Sequence, residues 1–299
     1  MSLVSGLLPR QFEKISKSDK SMKVTDRNFK VGHDKLMYAK QIWQLKDDGD
    51  IFKTATSLLQ PVIYKDIKAM LKIPFSAEES RGAFLMICWD GNGSAQILEH
   101  DKNALLMERA VGARSLKQMV INGDEDKANK IVCDLVSKLH ATGCKQIPEL
   151  VPLPVWFRAL RDRAEQYGGI LANCNEIAGH LINSETDTVA LHGDIHYDNI
   201  LDSENQGWIA IDPKGLLGDR AFDYANIFCN PDFTTAASPV RLSKQVRLIA
   251  GEAALDPQTL LKWVIAWAGL SATWILGDGE DASLPLTVAR IAVEELGGC

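Results

Sequence analysis

The chain of 299 residues holds no CxxC pair, no basic excess and no GxGxxG loop ahead of Lys72. Each absence excludes something. The six cysteines, Cys88, Cys133, Cys144, Cys174, Cys229 and Cys299, are scattered. A chain of this length can bury a sizeable core without disulfide staples, so reduced thiols in a cytoplasmic protein are expected. A net charge of −6 and a pI near 5.6 argue against a nucleic-acid partner, which demands a basic face. The N-terminal "MSLVSGLLPRQFEKI" has no basic region before its short apolar run and is not expected to act as a signal peptide. The most apolar stretch, Leu260 to Leu276, is interrupted by Lys262 and falls short of the roughly 20 residues that span a bilayer. It is expected to be a buried core helix, with no membrane partner.

What is present changes character along the chain. The first hundred residues are rich in β-formers: "KLMYAKQIWQL" and "QPVIYKDIKAMLKI" are expected as strands, and "KDDGD" as a hairpin turn between Leu45 and Ile51. Ser76 and Glu79 match a capping box opening a helix that Gly91 and Gly93 end. "SAQILEHDKNALLMERAVG" suggests two strands around a turn at Asp101 to Asn103. Beyond Gly112, apolar residues at Ala128, Ile131, Val132, Leu135, Val136 and Leu139 take helical spacing. Further helices are expected near 154–182, 238–253, 257–276 and 284–296, with a short β-like pair around "TVALHGDIH" and "GWIAIDPKG". The expected fold class is α+β: a β-rich N-terminal lobe, residues 1–110, and a larger, mainly helical C-terminal lobe, residues 111–299.

The stretch "LHGDIHYDNILD", Leu191 to Asp202, concentrates the candidate chemistry. Extended, it would put His192, Asp194 and His196 on one face, a zinc-ligand set for a metal-dependent hydrolase. It could also be a polar turn held by satisfied histidines. A third reading is a phosphoryl-transfer loop, in which one aspartate contacts the acceptor hydroxyl and an asparagine five residues later holds a metal. The spacing favours the third: Asp194 and Asn199 are five apart, and Asp212 follows Asn199 by thirteen, within reach of a hairpin. A carboxylate and an amide oxygen are hard ligands suited to magnesium. The zinc reading lacks a partner, because His33, His100, His140 and His180 form no cluster. Either histidine of the loop can instead tie the backbone, and Arg220 with Asp223 can form a buried network that braces it.

A kinase-like site also needs a strand lysine for the nucleotide phosphates, held by a helix glutamate. Lys72 in "AMLKIP" is the candidate lysine, with Glu79, or its neighbour Glu78, as partner. Thr54, Thr56 and Ser57 supply small hydroxyls that could meet phosphate oxygens, or simply form a β-turn.

Together, "LHGDIHYDNIL" and "AIDPKGLLGDRAFDYANIFCNP" resemble the aminoglycoside phosphotransferases, most of all the streptomycin 6-kinase and hydroxyurea-kinase branch. The likeness runs from about Ile42 to the C-terminus. It implies a bilobal protein-kinase-like fold, ATP and Mg2+, and O-phosphorylation of a small molecule. Asp194 then matches the catalytic aspartate, Asn199 and Asp212 the magnesium ligands, and Lys72 the phosphate lysine. Glu108 to Ala110 match the hinge whose backbone holds adenine, and Ser57 the nucleotide-loop hydroxyl. Pro213 and Lys214 stand where protein kinases carry Phe-Gly, which implies a stiffer turn. A streptomycin-like acceptor is cationic, and guanidinium groups pair with carboxylates. Asp198 and Asp219 are candidates for that contact, with Glu294 and Glu295 on the last helix. Hydroxyurea, a sugar or an amino alcohol are alternative acceptors, and a catalytically silent nucleotide-binding protein is the non-enzymatic alternative.

Overall fold

A computed structural model describes residues 19–54, 56–142, 149–184 and 187–297; the side chains of 19–28 and 77–79 are not part of the description. Packing divides the chain into two compact units: residues through Ala77 with Leu98–Glu108, and Glu78–Ile97 with the chain from Arg109 on.

The first unit is built on one sheet. Strands β1 (Lys46–Asp47), β2 (Phe52–Lys53), β3 (Ser57–Tyr64), β4 (Ile67–Pro74), β5 (Ile97–His100) and β6 (Leu105–Glu108) pair in the order β1-β3-β4-β6-β5, with β2 also on β3. The β3–β4 hairpin runs in full antiparallel register from Ser57↔Pro74 to Tyr64↔Ile67. Its turn places Lys65 and Asp66 at φ 47° and 67°, where short polar side chains are tolerated best. Leu58, Val62, Ala69, Leu71, Ile73 and Leu106 form the core of this sheet. The turn at Asp101 is as expected, its Oδ1 accepting from the N–H groups of Asn103 and Ala104 at 2.6 and 2.8 Å.

Two expectations fail here. "KLMYAKQIWQL" is not a strand but the end of helix α1, Asp19–Ile42. Its β-forming residues mask a helical stripe: Leu36 and Ala39 are buried three apart, and Gly32 one turn earlier abuts Leu58. "KDDGD" does not join a hairpin either. β1 and β2 each pair with β3, and Gly49 between them lies against Pro61.

The second unit is mainly helical. Helix α2 (Ala77–Trp89) follows Ser76, as the capping signal implied; the Glu79 half of the box lies outside the described side chains. After it come α3 (Leu116–Ile121), α4 (Glu125–Ala141), β7 (Val151–Pro152), α5 (Leu153–Trp156), α6 (Arg158–Tyr167) and α7 (Gly169–Asn183). Four short strands follow, β8 (Thr188–Leu191), β9 (Ile200–Ser203), β10 (Gly207–Ala210) and β11 (Leu216–Asp219). The chain ends in α8 (Phe233–Ala236), α9 (Pro239–Glu252), α10 (Pro257–Gly277) and α11 (Ser283–Gly297). Helix α10 is long and apolar enough to cross a membrane by composition, yet 61% of that window is buried within the protein. It packs on α6, α7, α9 and α11, with Gly269 giving close approach to Cys174 on α7. Helix α10 is thus the core element expected from the sequence.

The β-like pair does not form as written. β10 pairs with β9, whereas β8 pairs with β11, a strand not anticipated; β7 joins β11 in parallel. Cys133, Cys174 and Cys229 are free and buried, and burial pushes each thiol up to about 12. Cys88 departs from the reduced-thiol expectation: it is disulfide-bonded.

Candidate active site

The loop between β8 and β9 is held from several sides. The Asp223 carboxylate, 2% exposed as a residue, accepts the backbone N–H groups of His192 (2.9 Å) and Gly193 (2.7 Å). His140 Nε2 lies 2.8 Å from the same carboxylate. Gly193 sits at φ 81°, and a Cβ there would come within 2.7 Å of Leu216, so only glycine fits this turn. Tyr197 is anchored to α4 through its hydroxyl, which donates to Asn129 Oδ1 at 2.8 Å.

The loop is bent, so its histidines do not present one ligating face. His192 is fully buried, stacked on Trp89 with ring centroids 6.1 Å apart. Its Nδ1 accepts from the Asp194 N–H at 3.2 Å and its Nε2 lies 2.9 Å from the Ile211 carbonyl. Burial holds its pKa below the ordinary histidine value, so the ring is neutral and Nε2 donates. His196 Nδ1 accepts from the Asp198 N–H at 3.2 Å. Both rings brace the backbone. No group of three or more His, Cys, Asp or Glu able to hold a metal occurs among the described residues.

Asp194 is oriented by two amides. Asn226 Nδ2 donates to its Oδ1 at 2.9 Å, and Asn199 Nδ2 donates to its backbone carbonyl at 2.9 Å and to Oδ2 at 3.3 Å. Lys214 Nζ stands 3.7 Å from Oδ2. Because the Asn199 Nδ2 faces Asp194, its Oδ1 is the atom left for a cation. The β9–β10 hairpin runs from Ile200↔Ala210, and the Ile211 N–H donates to the Asn199 carbonyl at 3.0 Å. Asp212 therefore follows directly on a residue bonded to Asn199. Asp212 has φ 59°, a left-handed conformation uncommon for a non-glycine residue and strained before proline. Such strain persists only where the surroundings enforce it. Helix α2 packs closely on the next residue: a Cβ on Gly82 would come within 1.9 Å of the Pro213 carbonyl oxygen.

The remaining candidates fall in several places. Lys72 is 4% exposed in β4, opposite Leu59 and Leu105. Ser57 opens β3, its N–H donating to Thr54 Oγ1 at 3.0 Å. Glu108 ends β6, and Ala110 follows in the irregular segment beyond it. The side chain of Glu79, like that of Glu78, lies outside the described residues. Asp198 is ion-paired with Lys117 at 3.1 Å, and Asp219 Oδ1 caps the following turn through the Ala221 N–H at 2.8 Å. Neither carboxylate lines the cavity beside Asp194, so the structure gives both other partners. Arg220 does not meet Asp223; it binds Asp187 and the carbonyls of Ala253 and Ala254. Asn226 was not singled out in the sequence, and His140 only as a histidine that forms no cluster. The only signal for Asn226 was its position in "FDYANIFCN", and for His140 its place near the end of α4.

Beside Asp194 and Gly193 opens a cavity of about 810 Å³, walled by the β7–α5–α6 segment, by Arg81 and Lys214, and by Trp267 and Trp274 of α10. A loop carboxylate oriented by amides, an Asn–Asp pair across a hairpin and an adjoining cavity define a kinase-like small-molecule phosphotransferase. The fold agrees. An aminoglycoside phosphotransferase in ternary complex with ADP and hygromycin B superposes with a TM-score of 0.61 at 13% identity, covering 86% of this chain and 97% of that one. Residues 42–279 match the family described as aminoglycoside/hydroxyurea antibiotic resistance kinase, and the chain belongs to it. A streptomycin 3''-kinase of Klebsiella pneumoniae is 40% identical over 84% of this chain and 97% of its own length. A hydroxyurea phosphotransferase of Kitasatospora aureofaciens is 29% identical over 85% of this chain and 75% of its own. Membership of a kinase family implies ATP as phosphoryl donor.

Proposed function

We propose that the chain transfers the γ-phosphoryl group of ATP directly to a hydroxyl of a streptomycin-like aminocyclitol in the cytoplasm. The observation that carries this reading is the Asp194 carboxylate, held by Asn199 and Asn226 at the wall of a cavity large enough for such an acceptor. Kinship with a streptomycin kinase at 40% identity supports the acceptor class. The acceptor oxygen bonds to the γ-phosphorus as the bond to the ADP oxygen breaks. The transition state is loose, so the protein contributes chiefly position and charge. Asp194 orients the hydroxyl and accepts its proton late. Lys72 neutralises charge on the α- and β-phosphates. Asn199 and Asp212 would hold magnesium, which supplies further neutralisation of the phosphate charge.

Hydroxyurea is the second reading, favoured by the family description and the hydroxyurea phosphotransferase relative. An ATP-consumption screen over streptomycin, hydroxyurea, sugars and amino alcohols, with mass analysis of products, separates the two. Acceptor-dependent consumption and a monophosphorylated product with streptomycin are expected. Consumption with no acceptor above the buffer rate would overturn the kinase reading.

A further inference from the structure

The cavity beside Asp194 is lined by two chemically different sets of side chains. One set is polar: Arg81 and Lys214, with Asp194. Lys214 Nζ is 3.7 Å from Asp194 Oδ2, and Arg81 Nε is buried with no hydrogen-bond partner among the described residues. An unmet guanidinium donor beside the reacting carboxylate suits an incoming phosphoryl oxygen. The other set is aromatic: three tryptophans, Trp156 of α5 and Trp267 and Trp274 of α10. The two from α10 are seven residues apart, two turns along one face. Trp156 meets Trp274 edge to face, centroids 5.3 Å apart and planes 77° apart. That arrangement gives an aromatic wall with differently directed faces.

The charges on this cavity oppose recognition of a polycation by ion pairs. Its carboxylates are Asp162 and Asp194, against four cationic side chains, the other two being Arg158 and Arg163 on α6. Asp194 is already committed to amides and chemistry, and Asp162 lies 3.4 Å from Arg161 with half its side chain in solvent. A ligand gains little from carboxylates here and more from the ring faces. Flat, delocalised groups benefit most: a guanidino group is weakly hydrated and stacks on indole, whereas an ammonium is compact and strongly hydrated.

We infer that Trp156, Trp267 and Trp274 form the acceptor subsite, and that it selects acceptors bearing a planar guanidino or ureido group by stacking rather than by ion pairing. This rests on the reading of the cavity as the acceptor site of a hydroxyl kinase. It gives a shared recognition element to streptomycin, which carries guanidino groups, and hydroxyurea, which is itself a urea. Aminoglycosides whose cations are all ammonium are disfavoured by the same wall, because a compact, strongly hydrated ammonium gains less on a ring face.

The test is calorimetric titration of the full chain, with ADP and magnesium present, by streptomycin and by kanamycin, whose cations are all ammonium. Streptomycin is expected to bind about tenfold more tightly. Trp274→Leu should weaken streptomycin by about tenfold, with ADP affinity unchanged, and Trp274→Phe should restore most of the loss. Trp267→Leu provides the same measurement should the first variant fail to fold. Equal affinity for the two antibiotics, wild-type streptomycin affinity in the leucine variants, or binding of neither compound overturns the inference. Streptomycin bound as expected, but never phosphorylated from ATP, supports the stacking subsite and removes the kinase reading instead.

Discussion

Asp223 never meets the acceptor, yet its removal should damage the site most. Its buried carboxylate accepts two backbone N–H groups, from His192 at 2.9 Å and Gly193 at 2.7 Å, and contacts His140 Nε2 at 2.8 Å. In Asp223→Ala those donors stay buried without an acceptor. Each orphaned buried donor costs about 1–3 kcal/mol. Removing one partner of a buried charged network costs about 3–5 kcal/mol in total. The two amides precede Asp194, so the same change should displace the carboxylate that Asn199 and Asn226 orient. Thermal melting followed by circular dichroism should show a drop of roughly 10 °C, with turnover falling further than stability alone explains. Asp223→Asn keeps an acceptor for one amide but turns an N–H2 toward the other, and should fall between. A melting point for Asp223→Ala within about 2 °C of the wild type would refute the bracing role.

Three further outcomes follow from the same loop. Gly82→Ala should destabilise by about 1–3 kcal/mol, although alanine favours a helix, because its Cβ would meet the Pro213 carbonyl at 1.9 Å. Denaturant melts giving a gain in stability would contradict that close packing. His192 is buried with its pKa below the unfolded value, so its contribution is whole above about pH 6.5 and is lost as the unfolded chain takes up a proton below it. Stability should therefore fall by up to about 1.4 kcal/mol per pH unit on acidification, less steeply in His192→Gln; equal slopes between about pH 5 and 6.5 would count against it. Asp212→Ala should abolish the magnesium dependence of nucleotide binding, and an unchanged ATP affinity across a magnesium titration would remove its metal role.

The loop that carries Asp194 was legible because its candidate residues are local. Asp194, Asn199 and Asp212 lie within nineteen residues, and a hairpin of fixed length converts their spacing into proximity. The long helices were equally plain, since α4, α9 and α11 each bury a stripe with helical period and α10 is apolar and buried almost all round. Helix α1 was misread because Tyr38, Ile42 and Trp43 carry strand propensity, while the contacts that select a helix come from strands later in the chain. The pairing of β8 with β11 was hidden for the same reason: β11 is four residues long and Gly218 lies within it, packed on Leu153 of another element. The wall of tryptophans joins Trp156 to residues more than a hundred positions later, and only the seven-residue spacing on α10 hinted at a shared face. Asn226 and His140 act through carboxylates distant in sequence, so nothing local marks them.

Asp194 is proposed to serve the hydroxyl that receives the phosphoryl group. The most direct test of that role is the single-turnover rate of phosphate transfer from ATP to streptomycin by Asp194→Ala, measured beside its ATP affinity. A fall of about 10²-fold or more, with nucleotide affinity preserved, is the expected result. Transfer at a near wild-type rate would contradict the account.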